Sequence, residues 1–62
     1  MKLDQFLKFH GLVGTGGEAK IVISEGSVRV NGFEERRRGR KLVDGDCISF
    51  ADVEYIFSDS KP

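Results

Sequence analysis

Apolar residues recur at helical spacing near the start of the chain. Leu3, Phe6 and Leu7 stand at positions i, i+3 and i+4 with polar residues between them, which predicts a short helix over residues 2–10. Gly11 is expected to end this helix. A glycine in the left-handed conformation, followed by an apolar residue, commonly satisfies the last carbonyl groups of a helix.

A second helix is predicted to begin at Gly16. Thr15, with Glu18 three residues later, has the spacing of a capping box, in which each side chain binds a free backbone N–H group at the helix start. Gly26 is expected to end the helix. Two helices this short must pack against each other, because neither would persist alone. The inward face of the second helix is predicted to comprise Ala19, Val22 and Ile23.

The hydrophobic period changes to two after the second helix. Val28 and Val30 are expected to point to one side and Arg29 to the other. The dipeptide Asn31-Gly32 is a strong hairpin signal, because both turn positions need positive φ. A return strand from Phe33 is too charged to be buried on both faces, so it should run along an edge or end early.

Two further alternating segments, residues 47–50 and 53–57, follow turns at 44–46 and 51–52. The predicted fold class is therefore α+β, with two N-terminal helices packed on a small antiparallel sheet of four to five short strands. Residues 1–58 are expected to form a single domain and residues 59–62 a polar tail. The strand residues expected to face the helices are Ile48, Phe50, Val53, Tyr55 and Phe57.

Length and cysteine count limit the function. A chain of 62 residues with one cysteine, Cys47, cannot form an internal disulfide, and no apolar run approaches the roughly 18 residues of a membrane span. We therefore expect a cytoplasmic protein, monomeric and without membrane contact. One cysteine and one histidine do not make the usual set of metal ligands, so neither a metal nor another cofactor is expected.

Charge is zero overall at pH 7 but unevenly distributed. Five cations occupy residues 36–41, and such close like charges repel one another, so the run favours contact with a polyanion such as nucleic acid. In an extended chain Arg36, Arg38 and Arg40 would share one face and match successive phosphates. The cations of this run are Arg36, Arg37, Arg38, Arg40 and Lys41.

Two other interpretations of the basic run stay open. It could be a solvated loop whose charges offset nearby acids, or an adaptor surface that docks an acidic protein partner. The discriminating observation is whether nucleic acid copurifies with the protein. The nearby acids are Glu34, Glu35, Asp44 and Asp46.

Evidence for catalysis is weak in this sequence. His10 and Cys47 could pair as base and nucleophile, but a lone histidine near a helix end more often contacts the last carbonyl groups. Asp44 and Asp46 are more typical of a turn than of a catalytic carboxylate pair. No catalytic residue and no small-molecule substrate are therefore predicted.

The glycine-rich segment 14–17 precedes a helix, where backbone N–H groups can bind a phosphate. No strand comes before it, and Glu18 stands where a nucleotide-binding loop would have its lysine. The segment is therefore read either as a tight corner or as a dock for one phosphate of a larger ligand.

The order of these parts resembles the RNA-binding domain family named after ribosomal small-subunit protein S-four. The most specific piece is Glu25-Gly26 followed by Val28-Arg29-Val30-Asn31-Gly32, together with the later Gly45-Asp46. The resemblance spans residues 3–50. It implies an alpha-L motif, in which two helices and their loop form a basic surface for structured RNA above a supporting sheet. The family includes short free-standing bacterial proteins, and this chain is similar to those.

The resemblance implies a binding surface for folded ribosomal or transfer RNA, recognised mainly by shape. It places the polar helix start at Thr15-Gly16, a basic helix position at Lys20 and a basic strand position at Arg29. Many members have arginine where this chain has Gly16, so the basic run is expected to take over part of the contact. Lys8 is expected to contribute, and Phe9 could stack on a base or belong to the core. The expected RNA contacts are Lys8, Thr15, Gly16, Lys20, Arg29, Arg36, Arg37, Arg38, Arg40 and Lys41.

Overall fold

The computed structural model describes residues 1–58, and the predicted tail at 59–62 lies outside the described residues. Two helices precede four strands that form one antiparallel sheet, in which the first strand lies between the second and the third, and the fourth pairs with the third. The predicted α+β class is confirmed, with four strands. The elements are α1 Leu3–Phe9, α2 Gly16–Ser24, β1 Arg29–Val30, β2 Phe33–Glu34, β3 Cys47–Phe50 and β4 Val53–Ile56.

Both helices end at a glycine, as predicted. Gly11 has a φ of 71°, and the N–H of Leu12 donates to the carbonyl of Leu7 at 2.9 Å. Gly26 has a φ of 80°, and the N–H of Ser27 donates to the carbonyl of Val22 at 3.0 Å. These are the bonds of a Schellman motif, which satisfies the last carbonyl groups and turns the chain sharply.

The start of α2 agrees with the prediction in one half only. Thr15 Oγ1 accepts a hydrogen bond from the N–H of Glu18 at 3.1 Å. The Glu18 carboxylate, however, accepts from the N–H of Gly14 at 2.7 Å, so the reciprocal bond of the capping box goes to the residue before the cap. The carboxylate still lies at the positive end of the helix.

The core lies between the helices and one face of the sheet. Its largest fully buried side chains include Phe6, Leu7, Ile23 and Ile48. Ala19 is buried and Val22 half-buried, as predicted for α2. Of the strand residues expected to face the helices, Val53 pairs with Phe50 at the end of the β3-β4 hairpin, and there it is 46% exposed.

Both hairpin turns use positive φ at two successive residues. Asn31 and Gly32 have φ values of 56° and 86°, which confirms the turn expected between β1 and β2. Ala51 and Asp52 adopt the same conformation between β3 and β4, with φ values of 54° and 64°. The second turn has no glycine, so its geometry could not be read from the usual dipeptide signal.

The sheet order determines where the basic run lies. Because β3 pairs with β1 on the side opposite β2, residues 35–46 must carry the chain around the sheet. This connection passes the start of α1, where the N–H groups of Leu3 and Asp4 donate to the carbonyls of Arg40 and Arg38 at 2.9 and 3.1 Å. The backbone of the basic run therefore caps the first helix.

A side-chain network closes the other end of this connection. Asn31 Nδ2 donates to Asp46 Oδ1 at 3.0 Å, and the N–H of Cys47 donates to Asn31 Oδ1 at 3.0 Å. Asp46 Oδ2 also accepts from the N–H of Val43 at 3.0 Å. The Asn31-Gly32 turn and the Gly45-Asp46 turn thus hold each other in place.

Candidate nucleic-acid interface

The basic loop, residues 36–41, is organised around the buried carboxylate of Glu35. Arg37 Nε donates to Glu35 Oε2 at 3.0 Å, and Arg40 Nη1 donates to Glu35 Oε1 at 2.8 Å. The backbone N–H of Arg37 donates to Oε2 as well, at 3.2 Å. Only 8% of the Glu35 side chain is exposed. Hydrogen bonds from the charged arginines therefore replace most of the hydration of the carboxylate.

These contacts lower the pKa of Glu35 from 4.5 to about 2. The hydrogen bond from the Arg37 side chain is the largest cause, followed by that from Arg40, and both outweigh the opposing effect of burial. Arg40 Nη2 also lies 4.0 Å from Asp46 Oδ2. The pKa of Asp46 is lowered mainly by the N–H of Val43 and then by the Asn31 side chain.

The expectation that Arg36, Arg38 and Arg40 share one face of an extended chain is wrong. The loop turns at residues 38–39, and the N–H of Arg40 donates to the carbonyl of Arg37 at 3.2 Å. Arg37 and Arg40, expected on opposite faces, therefore bind the same carboxylate. One alternative interpretation is that nearby acids offset the charge of the basic run. Two acids do so: Glu35 binds Arg37 and Arg40, and Glu34 accepts a 3.2 Å hydrogen bond from Arg36.

The cations of the basic loop differ in how freely they can contact a ligand. The Arg40 side chain is 31% exposed and its Nε is buried without a partner in residues 1–58, whereas that of Arg37 is 79% exposed despite its ion pair. Arg38 and Lys41 are exposed and form no ion pair among the described residues. We conclude that Arg40 holds the loop together, while the others extend into solvent.

Gly26, at the end of α2, packs against the basic loop. A Cβ atom built at this position would lie 3.0 Å from Nη2 of Arg36 and 3.2 Å from Oε1 of Glu34. The Arg36-Glu34 pair thus lies directly against the helix end. Together with the backbone bonds to Leu3 and Asp4, this contact places the basic loop beside the end of α2 and the start of α1.

The helices supply separate cations. Lys8 on α1 and Lys20 on α2 are exposed. Thr15 Oγ1 is already used as the helix cap, and the Glu18 carboxylate lies close to Gly14. A phosphate approaching Gly16 would therefore meet a negative charge, which makes the glycine-rich segment a weaker anion site than the lysines.

Arg29 lies on the outer face of the sheet, opposite the helices. Its neighbours across the strands are Glu34 on β2 and Ser49 on β3. The charge of Glu34 is partly neutralised because its carboxylate is paired with Arg36. Arg29 lines an open groove of about 790 Å³ together with Ser27, Ser49 and Glu54. The sheet face is thus a polar groove with one central guanidinium group.

His10 and Cys47 are separated by the sheet. The His10 ring contacts Tyr55, its ring centroid 5.6 Å away, and Tyr55 pairs with buried Ile48 on the face toward the helices. Cys47 precedes Ile48 and so faces the other way. Within residues 1–58, no three His, Cys, Asp or Glu side chains come together as a metal site. Neither helix of that part has the length and apolar character needed to cross a membrane.

Sequence reasoning missed two features of this surface. In the sequence Glu35 is only a neighbouring acid, because its burial depends on the crossover connection and has no local signal. The sequence allows Phe9 to belong to the core or to the surface, and in the structure it is 74% exposed. The spacing of Leu3, Phe6 and Leu7 could have indicated this, because Phe9 falls outside that apolar stripe.

A profile of the S4 domain family matches residues 1–57, so the chain belongs to the S4 domain family. The resemblance noted in the sequence is confirmed. Among curated proteins, YbcJ of Escherichia coli (strain K12) is 43% identical to this chain over 51 residues. The match covers 82% of this chain and 73% of YbcJ. YbcJ is named as a candidate RNA-binding protein.

A second relative is RlbA of Bacillus subtilis (strain 168), which is named as a probable ribosome maturation protein. It is 48% identical over 46 residues, covering 74% of this chain and 65% of RlbA. The match therefore spans slightly less than two thirds of RlbA.

Proposed function

We propose that this chain is a non-catalytic module that binds folded RNA through phosphate contacts. The observation that carries the proposal is the set of exposed cations on the helices, the outer sheet face and the basic loop, combined with membership of the S4 domain family. A relative named for RNA binding supports the same function. Recognition would depend mainly on shape, because an RNA duplex offers side chains little sequence to read.

The cations divide into three groups with different proposed roles. Arg40 fixes the loop through Glu35 and contributes little direct contact. Arg36 and Arg37 are paired but exposed, so they can exchange a carboxylate for a phosphate. The proposed primary phosphate contacts are exposed and form no ion pair within residues 1–58; they are Lys8, Lys20, Arg29, Arg38 and Lys41.

The basic loop would act as a preorganised surface. A free loop with five cations would lose conformational freedom on binding, and that loss weakens affinity. Here Glu35 and the backbone bonds to α1 hold the loop in one conformation before the ligand arrives. Thr15 and Gly16 would lie at the margin of the contact, since the carboxylate of Glu18 repels a phosphate there.

Ribosomal RNA is the first RNA to test, because one relative is named for ribosome maturation; transfer RNA is the second. The purified chain would be titrated against a labelled fragment of each and against a polyglutamate peptide of equal charge. Saturable RNA binding with no peptide binding supports the proposal. Tighter binding to the peptide would favour the acidic-partner adaptor, and absence of RNA binding at low salt would rule the proposal out.

Single substitutions test which cations contact RNA and which hold the loop in place. Arg38→Ala should weaken binding to every RNA by a similar factor while the thermal midpoint stays unchanged, since Arg38 has no ion pair in the described chain. Arg40→Ala should instead lower the thermal midpoint, because it leaves Glu35 with one arginine partner. The reverse pattern would contradict the division of roles.

A further inference from the structure

Phe9 is a large aromatic side chain exposed at the end of α1. Its ring contacts the neighbouring His10 ring at a centroid distance of 5.3 Å and an angle of 84°. His10 is in turn held against the core ring of Phe6, at 4.3 Å, and near Tyr55, at 5.6 Å. Phe9 is therefore supported by a row of aromatic rings while 74% of it stays exposed.

Open grooves border Phe9 on more than one side. One, of about 430 Å³, is lined by Phe6, His10 and Phe57. Another, of about 540 Å³, is lined by Met1, Gln5 and Lys8. Gln5, Lys8 and His10 bring polar groups to the edges of grooves that are otherwise mainly apolar, and among the described residues neither groove is lined by a carboxylate.

We propose that Phe9 is a stacking platform for an unpaired RNA base, with Lys8 binding an adjacent phosphate. This inference rests on the proposed RNA-binding function and extends it from duplex shape to unpaired nucleotides. Aromatic rings next to cations are the usual means of holding single-stranded nucleic acid, because every base has a π face. Lys8 and Phe9 are neighbours in sequence and line the same groove.

A second copy of this chain fits the same surface less well. A stable interface uses roughly 20–30 residues a side. Here the exposed large apolar side chains along the two grooves are Met1, Phe9 and Ile56. Lys8 and Gln5 lie beside the exposed ring of Phe9. A cation and an amide next to an aromatic ring match a negatively charged ligand with a flat aromatic group, such as a nucleotide.

The experiment compares two RNA probes with the same stem. In one, the stem is closed by a loop of unpaired nucleotides containing a fluorescent purine whose emission falls when it stacks. The other is a blunt duplex. The variants are Phe9→Ala, Phe9→Leu, which keeps apolar bulk without a π face, and Phe9→Trp, which keeps the ring. Ile21→Ala is the matched control, since Ile21 is also exposed, on α2.

We expect Phe9→Ala and Phe9→Leu to weaken binding to the looped probe by about fivefold to a hundredfold and to abolish quenching. Binding to the duplex, and the thermal midpoint, should not change. Phe9→Trp should retain the wild-type affinity, and Ile21→Ala should behave as wild type on both probes.

Three results would overturn the stacking role: unchanged affinity of Phe9→Ala for the looped probe, wild-type behaviour of Phe9→Leu, or a dimer that dissociates when Phe9 is replaced. In each case duplex binding by the wild-type chain would leave the proposed function intact. If the wild-type chain binds neither probe, both proposals fail.

Discussion

Arg40 Nη1 donates a 2.8 Å hydrogen bond to Glu35 Oε1, so a cation of the basic loop is used to fix the loop rather than to contact a ligand. Arg37 binds the second oxygen of the same carboxylate. The loop therefore has an internal counterion. Its remaining positive charge is carried by side chains that reach into solvent.

Replacement of Glu35 by glutamine tests this arrangement. The amide keeps the shape but loses the charge and one acceptor oxygen, so we expect the free energy of unfolding to fall by about 2 kcal/mol. Chemical denaturation at pH 7 measures it. Glu34→Gln is the matched control, because its ion pair with Arg36 is exposed and should change stability by less than about 0.5 kcal/mol. Equal effects of the two substitutions would contradict the role of Glu35.

The lowered pKa of Glu35 predicts the pH range in which this stabilisation disappears. The folded value of about 2 lies below the ordinary value of 4.5. The contribution is therefore complete above about pH 4.5 and is lost as pH falls toward 2. The stability difference between the wild-type chain and Glu35→Gln should shrink over this range. A difference that stays constant from pH 7 to pH 3 would show that the carboxylate is not held by the arginines.

Asn31 is predicted to stabilise the fold through its side chain rather than its backbone. Asn31→Gly keeps a residue suited to positive φ but removes the bonds to Asp46 and Cys47, and should lower the free energy of unfolding by about 1–2 kcal/mol. Ala51→Gly at the matching position of the other hairpin, where φ is 54°, should be neutral or stabilising. Thermal unfolding of both variants separates the loss of the Asn31 side-chain hydrogen bonds from the backbone effect of glycine at positive φ.

Gly26 is constrained by both backbone and neighbours. Gly26→Ala would strain a residue with a φ of 80° and press a methyl group on Arg36 and Glu34, so we expect a loss of about 1–2 kcal/mol. Gly39→Ala in the basic loop meets no atom within 4 Å and should leave stability unchanged. A neutral Gly26→Ala variant would mean that the contact between the helix end and the loop is loose.

Local patterns predicted the parts of the fold that depend on neighbouring residues. The two helix stops, the Asn31-Gly32 turn and the inward faces of the helices follow from spacing and glycine chemistry alone. The turn at Ala51 and Asp52 lies where the sequence predicts it, but its positive φ values have no sequence signal, because alanine rarely adopts that conformation.

The candidate site was harder to predict because it depends on contacts distant in sequence. Arg38 and Arg40 bind α1 through their carbonyls, and a bond between residues this far apart leaves no periodic signal. The expectation of an extended basic run therefore failed. Lys8, Lys20 and Arg29, which lie in regular elements, are exposed as expected.

The most direct test of the RNA-binding proposal is the salt dependence of affinity for a folded ribosomal RNA fragment. About five phosphate contacts predict that log K falls with log salt with a slope of roughly 3.5 to 4.5 units. The double variant Lys20→Ala/Arg38→Ala should reduce that slope by roughly one to two units and keep the fold. A slope near zero, or one that the double variant leaves unchanged, would contradict binding through these cations.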